Sequence, residues 1–595
     1  MKTSSQPRTG ILAVLLSVLA IALQGTASAL TVTNNKDNAP SDPLIAGSLR
    51  WAIAGTPANG LVDFSTALKG KTILLKAGQL VVDKPLNIHG LGCNSLTVSG
   101  NNVSRVFFVT GTSSSPGPAG VIISDMTITK GNGFGPDISG FGNISNGGGI
   151  HNVGYLQLLR ACVTGNAAPL GSGGGVYNRG TLSAVTECTV SYNTAGLNGG
   201  GIFDEQDMTI MRCAIYNNIA RGDGGGIQEA GTANLINTTV ANNRATGSGG
   251  GINDPGGATL KTYNVTIAGN TAAVGGGLAN VPFFGASWEL RNTIVANNSA
   301  PSAPDVSNGF GSQISQGYNL IGNTAGTAPG SFLPSDQINV NPKLGPLQNN
   351  GGPTLTMALL PGSPAIDRGS NSNLQPTMTT DQRNMARIVN GGTSATVDVG
   401  AYEYATARSL KFEAINDLTP CLSSTDCRTV ANARCAIRNI QCSLASRFWV
   451  NDTKLTCSGE LVFEFEEDAA YAIQKIIKYS PDLACVQEAL DAVHDLIQAD
   501  EQIARAAISE ATACNPNSSY IAKANCELVT AQASIAKQDY KGAIEHYEHA
   551  WEYAQNACNH CRNDDDCHRD RDETEREDRD RWGDDDRSGG DHDDD

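Results

Sequence analysis

The sequence predicts a mainly β protein: a parallel β-helix, then a small cysteine-rich α-helical domain and a disordered acidic tail. Three observations carry that expectation. Gly-Gly-Gly followed by an aliphatic residue recurs at Gly147, Gly173, Gly199, Gly224, Gly249 and Gly275, in steps of 25 or 26 residues. A fixed period of that length marks a stacked structural unit rather than a single ligand-binding loop. Of the 15 cysteines only Cys93, Cys162, Cys188 and Cys213 precede residue 410. The last 33 residues hold 17 acids and 6 bases, so they carry −11 of the chain's net charge of −17.

From the N-terminus, Lys2 and Arg8 precede an apolar run from Ile11 to Leu23, and Ala27-Ser28-Ala29 follows it. This reads as a secretory signal over residues 1–29, with a secreted or cell-surface location implied. The run is short for a membrane span, and no later segment reaches the ~20 apolar residues that a span needs. No transmembrane segment is therefore expected after cleavage. The body shows no basic face, so nucleic acid is not an expected partner.

Residues 30–330 are expected to form the β-helix. "GSLRWAIAG", Gly47–Gly55, reads as a short amphipathic helix that caps the otherwise open edge of the solenoid. "KTILL", "QLVV", "PLNIHG", "SLTVSG" and "RVFFV" are irregular early rungs. In the regular rungs, runs such as "GGGVYN", "TLSAV" and "ECTVSYN" alternate with period two, which predicts three short strands per turn.

The third strand is read as an inward column of Cys162, Cys188, Cys213, Thr238, Val265 and Thr293. Its cysteines are expected to pack as small buried thiols. Each such strand runs into Asn166, Asn193, Asn218, Asn243, Asn270 or Asn298. Asparagine tolerates left-handed backbone angles and can bond its neighbours along a stack, so a turn ladder is expected there.

Beyond the β-helix, 331–404 is a closing segment, 405–420 a linker, 421–562 the cysteine-rich helical domain and 563–595 the tail. "QDYKGAIEHYEHAWEYA" matches half of a tetratricopeptide-like hairpin at Tyr540, Ala543, Tyr547 and Ala550, and its partner half matches poorly. A lone hairpin cannot bury its face as an array does, so a disulfide-braced helical domain is expected. "CNHCRNDDDCH", Cys558–His568, has a rival zinc reading. The tail is like-charged and of low complexity, hence disordered, and its scattered arginines argue against a defined calcium site. Arg221-Gly222-Asp223 spells an integrin-binding tripeptide that a Gly- and Asp-rich chain reaches by chance.

Two stretches carry a family resemblance. "GSLRWAIA" resembles the CSLREA motif of secreted bacterial proteins, with Gly47 in place of Cys and Trp51 in place of Glu. With the glycine rungs it is similar to the right-handed parallel β-helix that accompanies that motif, including polymorphic outer-membrane-protein repeats. "NPKLGPLQNNGGPTLTMALLPGSPAIDRGS", "TDQRNMARI" and "VDVGAYEY", within Asn341–Tyr404, resemble the choice-of-anchor Q segment that closes such β-helices. The resemblance implies a right-handed β-helix and an exported location, and no established reaction. It departs after Tyr404, where neither an LPxTG motif nor an apolar anchor follows.

The candidate site is the column two residues after each GGG-aliphatic start: Asn152, Asn178, Asp204, Glu229, Asp254 and Asn280. Rungs ~4.8 Å apart would put Asp204 and Asp254 ~9.6 Å apart. One reading is a solvated row at exposed strand ends, with Arg179 and Glu205 as a surface ion pair. The chain would then be a non-catalytic adhesion, matrix-interaction or envelope protein that meets a polysaccharide or an extracellular protein surface without a cofactor. The alternative is a polysaccharide lyase or glycoside hydrolase acting on an acidic polysaccharide, with Asp204, Glu229 and Asp254 as calcium ligands or as acid and base. The absence of a Lys/Arg wall or an aromatic platform from the pattern favours the first.

Overall fold

A computed structural model of the protein describes residues 29–39, 41–111, 120–134, 145–256, 259–280, 287–308, 314–389 and 396–558. The expected signal segment, apart from Ala29, and the expected tail lie outside these residues. The described residues divide into two compact units, 29–389 with 396–404, and 405–558.

The first unit is a parallel β-solenoid. Among the described residues, three sheets of ten, nine and eleven strands run along it. One rung shows the pattern: Val176–Asn178 lies in the nine-stranded sheet, Thr181–Thr186 in the ten-stranded sheet and Thr189–Ser191 in the eleven-stranded sheet. A fourth strand of two residues, Thr194–Ala195 in this rung, adds a four-stranded sheet that the sequence pattern did not predict. Two residues are too short to show a period of two. Aliphatic side chains fill one continuous interior from Val32 to Ile321.

The three glycines have separate jobs. Gly199 has φ +65°, a left-handed turn that residues with a Cβ rarely adopt. A Cβ on Gly200 would lie 2.4 Å from the carbonyl oxygen of Gly225 in the next rung. Glycine there permits the rungs to stack.

The asparagine column lies inside the solenoid and is almost wholly buried. Asn193 Nδ2 donates to Asn218 Oδ1 at 3.0 Å, Asn218 to Asn243 at 2.9 Å and Asn243 to Asn270 at 3.0 Å. Each Oδ1 also accepts the preceding asparagine's backbone N–H, and each Nδ2 also donates to a carbonyl one rung back, such as Asn218 to Val190 at 2.9 Å. Left-handed angles belong instead to the residue before each ladder asparagine: Gly165, Tyr192, Asn217, Asn242, Gly269 and Asn297. The asparagines were expected to make the turn; the structure has them hold it from within.

The cysteine column is corrected by one residue. Cys162 pairs in register with Thr189, so Ala161, Cys188 and Cys213 form the inward stack. Cys188 and Cys213 are buried free thiols, as expected, whereas Cys162 is disulfide-bonded to Cys93. The offset is visible in the spacing: Cys162 precedes its ladder asparagine by four positions, and Cys188 and Cys213 precede theirs by five.

The N-terminal cap, α1 (Leu49–Gly55), forms as expected, with the Ser48 hydroxyl accepting from Trp51 N–H. Leu49, Ala52 and Ile53 enter the same core as Val32 and Val62. Arg50 fastens it through a two-pronged ion pair with Asp37 at 2.9 and 3.0 Å. Burial works to raise the Asp37 carboxyl; Arg50 and the amides of Lys76 and Ala77 outweigh it and hold it below the usual range.

The segment 331–404 returns along the flank of the solenoid. Gly400 N–H donates to Asn292 O at 2.8 Å, Asn264 Nδ2 to Asp398 O at 3.0 Å, and Asn237 Nδ2 to Thr380 O at 2.6 Å. Gln382 Nε2 reaches Cys213 O at 3.0 Å, three rungs from Asn292. The charged residues of its motif are interior: Asp381, Arg383, Arg387, Asp398 and Glu403 are each at most 3% exposed. Arg383 pairs with Asp381 at 2.8 Å and lies 3.7 Å over the Tyr402 ring.

The second unit is helical, and the expected linker belongs to it as helix α2 (Ala407–Leu418). Then follow α3 (Cys427–Ser443), α4 (Glu460–Tyr479), α5 (Leu483–Cys514), α6 (Ser519–Ala536) and α7 (Tyr540–Cys558). Lys411 is wholly buried and pairs with Glu466 and, at 2.8 Å, with Asp500. The half-hairpin positions Tyr540, Ala543, Tyr547 and Ala550 are buried, and α6 packs on α7 despite its poor match. Among the described residues, Cys514 bonds Cys558 and Cys457 is also bonded, whereas Cys421, Cys427, Cys435, Cys485 and Cys526 are thiols.

Replacing Asn218 with Ala removes four hydrogen bonds from the ladder and strands the amide of Asn193 inside. The expected cost is about 3 kcal/mol or more, measured by urea or thermal unfolding. A cost below about 1 kcal/mol would show that the ladder contributes little.

Candidate functional site

The three candidate acids are brought together on successive rungs, facing the solenoid interior. Strand Ile202–Asp204 turns Ile202 inward, and with a period of two Asp204 must also point inward. Asn178, Asp204 and Glu229 are register partners, and Asp254 is the partner of Asn280. Asp204, Glu229 and Asp254 are each 0% exposed, so the expected solvated row is instead an internal column. The correction was available from the aliphatic residue two positions upstream in every rung.

Local turn geometry uses most of these side chains. Gly231 N–H donates to Glu229 Oε1 at 2.7 Å and Gly256 N–H to Asp254 Oδ1 at 2.8 Å, as Gly154 N–H does to Asn152 at 3.1 Å. Each side chain thereby ties the turn that leaves its own strand. Along the column Asn152 Nδ2 donates to Asn178 Oδ1 at 2.6 Å, and Asn178 Nδ2 to Asp204 Oδ1. Trp288 Nε1 donates to Asp254 Oδ2 at 2.9 Å. Asp204 Oδ2 and Glu229 Oε2 are buried without a hydrogen-bond partner.

Burial dominates the electrostatics. It pushes the Asp204 carboxyl up to about 7, against bonds from Asn178 and the Gln206 amide that favour the charged form. Burial and then the neighbouring Asp204 push Glu229 up to about 9. Asp254 is raised by burial and held back by Gly256 and Trp288. At neutral pH Glu229 therefore keeps its proton beside an Asp204 that is near its midpoint. Chemically the pair could pass a proton between rungs, as an acid and base would, but neither has any exposed surface.

No protein-family profile matches the chain, nor does any curated protein or solved structure. Chemistry must therefore be read from the side chains alone.

Two outer columns complete the site's surroundings. In four successive rungs of the nine-stranded sheet the residue between the two inward side chains is aromatic and the four rings form a stack, which was not expected. Phe108 and His151 have ring centroids 5.2 Å apart, His151 and Tyr177 5.0 Å, and Tyr177 and Phe203 5.1 Å. Its signal was three aromatic residues at one repeat position, His151, Tyr177 and Phe203. Phe108, His151 and Tyr177 are nevertheless buried, at 0%, 1% and 6% exposure. The Tyr177 hydroxyl donates to Glu205, which pairs with Arg179 at 3.0 Å as expected. At the turn between the ten- and eleven-stranded sheets, Asp125, Arg160, Glu187 and Arg212 alternate in sign, with Arg160 pairing Asp125 at 2.8 Å and Arg212 pairing Glu187 at 3.0 Å.

A buried carboxyl whose pKa rises on folding stabilises the fold when protonated. For Glu229 that contribution is complete below its unfolded value of 4.5 and is lost as pH rises towards about 9. Stability should therefore fall as pH rises through this window, by up to about 1.4 kcal/mol per pH unit for each such group. Glu229→Gln and Asp204→Asn should flatten the slope, read as melting temperature against pH. An unchanged slope in the double variant would refute the assignment.

Proposed function

We propose that the protein is an exported or cell-surface β-solenoid of the CSLREA and choice-of-anchor Q type that works by binding rather than catalysis. Its role on this reading is adhesion, matrix interaction or envelope architecture, and its partner a polysaccharide or an extracellular protein surface. The observation that carries the reading is the inward turn of Asp204, Glu229 and Asp254, each with no exposed surface. A carboxylate that caps its own turn inside a solenoid serves the rung, not a substrate. The signal-like N-terminal segment supports export, and among the described residues no helix is long and apolar enough to cross a membrane. The repeated outer surface supplies many equivalent contacts along one axis, which suits multivalent attachment.

The enzyme reading keeps one supporting observation, the raised carboxyls of Asp204 and Glu229 on adjacent rungs. Perturbed titration occurs at catalytic sites and in structural networks alike. Calcium is a poor fit to the interior, because it takes about six to eight oxygens and the column offers three without a partner, Asp204 Oδ2, Glu229 Oε2 and Asn280 Oδ1.

The test is incubation of the purified protein with a panel of uronate polysaccharides, with and without calcium, beside Asp204→Asn and Glu229→Gln. These changes place amides where the column already carries Asn152, Asn178 and Asn280. The expected result is no chain cleavage by any of the three proteins and equal retention on immobilised polysaccharide. Cleavage by the native protein that either variant loses would establish the enzyme instead.

A further inference from the structure

The helical unit holds a grouping unrelated to the solenoid column. Glu527 lies on α6, and His546 and His549 lie on α7, one turn apart on the same helix face. One donor atom from each of the three comes within 4.8 Å of the other two. His546 Nδ1 already meets Glu527 Oε2 at 2.8 Å, and the His546 and His549 rings lie 6.4 Å apart. The side chains of His546 and Glu527 are 28% and 23% exposed, so an ion can reach them without opening the fold.

We propose that Glu527, His546 and His549 form a binding site for a divalent transition-metal ion of the zinc class. Two imidazoles and one carboxylate are a donor set that such ions favour over calcium or magnesium, which prefer oxygen alone. A tetrahedral ion with bonds of 2.0–2.1 Å sets its ligand atoms about 3.4 Å apart. The present spacing, from 2.8 Å to at most 4.8 Å, brackets that value, so rotation about side-chain bonds is enough to close the site. Three protein ligands leave a fourth position for water or for a donor from another molecule.

The position gives the ion a structural effect. Glu527 and His546 are 19 residues apart on the two arms of the α6–α7 hairpin. The metal would join those arms midway along their length, while the Cys514–Cys558 disulfide ties the far end of α7 to α5. The sequence signal pointed elsewhere, to Cys558–His568, because cysteine spacing is legible in one dimension and a ligand set shared between two helices is not.

The test uses Co²⁺ as a spectroscopic stand-in and Zn²⁺ as the stabilising ion, on the full chain. Native protein should bind Co²⁺ with a visible d–d band and no thiolate charge-transfer band, and Zn²⁺ should raise the melting temperature of the helical unit. His546→Ala and His549→Ala should each weaken binding by about tenfold or more and abolish the thermal shift, with the far-ultraviolet circular dichroism of the metal-free protein unchanged. Cys526→Ser removes the exposed thiol beside Glu527 and should leave both signals intact. Binding should weaken as pH falls, because protons compete with the ion for its ligands. The proposal is overturned by no binding, by a thiolate band that Cys526→Ser removes, or by equal binding in native protein and both histidine variants.

Discussion

The solenoid depends on one interaction, the hydrogen bond from each ladder asparagine to the next. A parallel β-helix must bend its chain sharply several times per rung, and each bend leaves backbone groups that the sheets do not satisfy. Water would satisfy them outside; inside, a side chain has to. Asn218 answers this by donating twice and accepting twice, from its own amide to the rung on either side. Its neighbours do the same, and Asp305 ends the run by accepting from Asn298 at 2.9 Å. A buried chain of that kind is stable only if every member is paired, which makes it a strong register constraint.

The glycines and the acid column follow from that constraint. Gly201 sits against the Asn218 side chain, where a Cβ would come within 3.1 Å of it, so the ladder and the glycine run specify each other. The acid column is a looser version of the same device, an oxygen turned inward to hold the next turn's amide. Asparagine fills that role without charge at Asn152, whereas Asn178 ties its turn the other way round, donating Nδ2 to Gly180 O at 3.0 Å. Asp204 and Glu229 hold the amide at an electrostatic cost, visible in their raised carboxyls and in one unpartnered oxygen on each. What resembled paired catalytic acids is a set of turn caps, two of them carrying more charge potential than their surroundings favour.

Buried charge is handled differently where opposite signs can meet. In the flanking segment Asp381 and Arg383 pair at 2.8 Å, and in the helical unit Lys411 lies between Glu466 and Asp500. Such networks bring little net stability compared with apolar packing, but breaking one partner leaves an uncompensated charge. Next to the first of them, Gln382 meets both Cys213 O and Thr239 Oγ1 of the solenoid wall. The choice-of-anchor-like motif, read as a closing piece, is in this protein a strap whose charged residues fix its own fold and whose neighbours fix it to the rungs.

By itself the sequence determined the β-solenoid, its period, the N-terminal helix α1, the helical nature of the C-terminal unit and the α7 hairpin face. Each rests on short-range periodicity, and spacing along the chain carries that information directly. It also contained two facts that were read one residue or one face away: the offset of Cys162, and the inward direction of Asp204, Glu229 and Asp254 set by the aliphatic residue two positions before. Only the tertiary structure decided the rest. The docking of the strap on the solenoid flank, the Cys93–Cys162 bond, the Lys411 cluster and the meeting of Glu527 with His546 join positions 19 to 169 residues apart. None of these pairs shares a repeat position, and contacts of that range arise from how elements pack, which a one-dimensional pattern does not record.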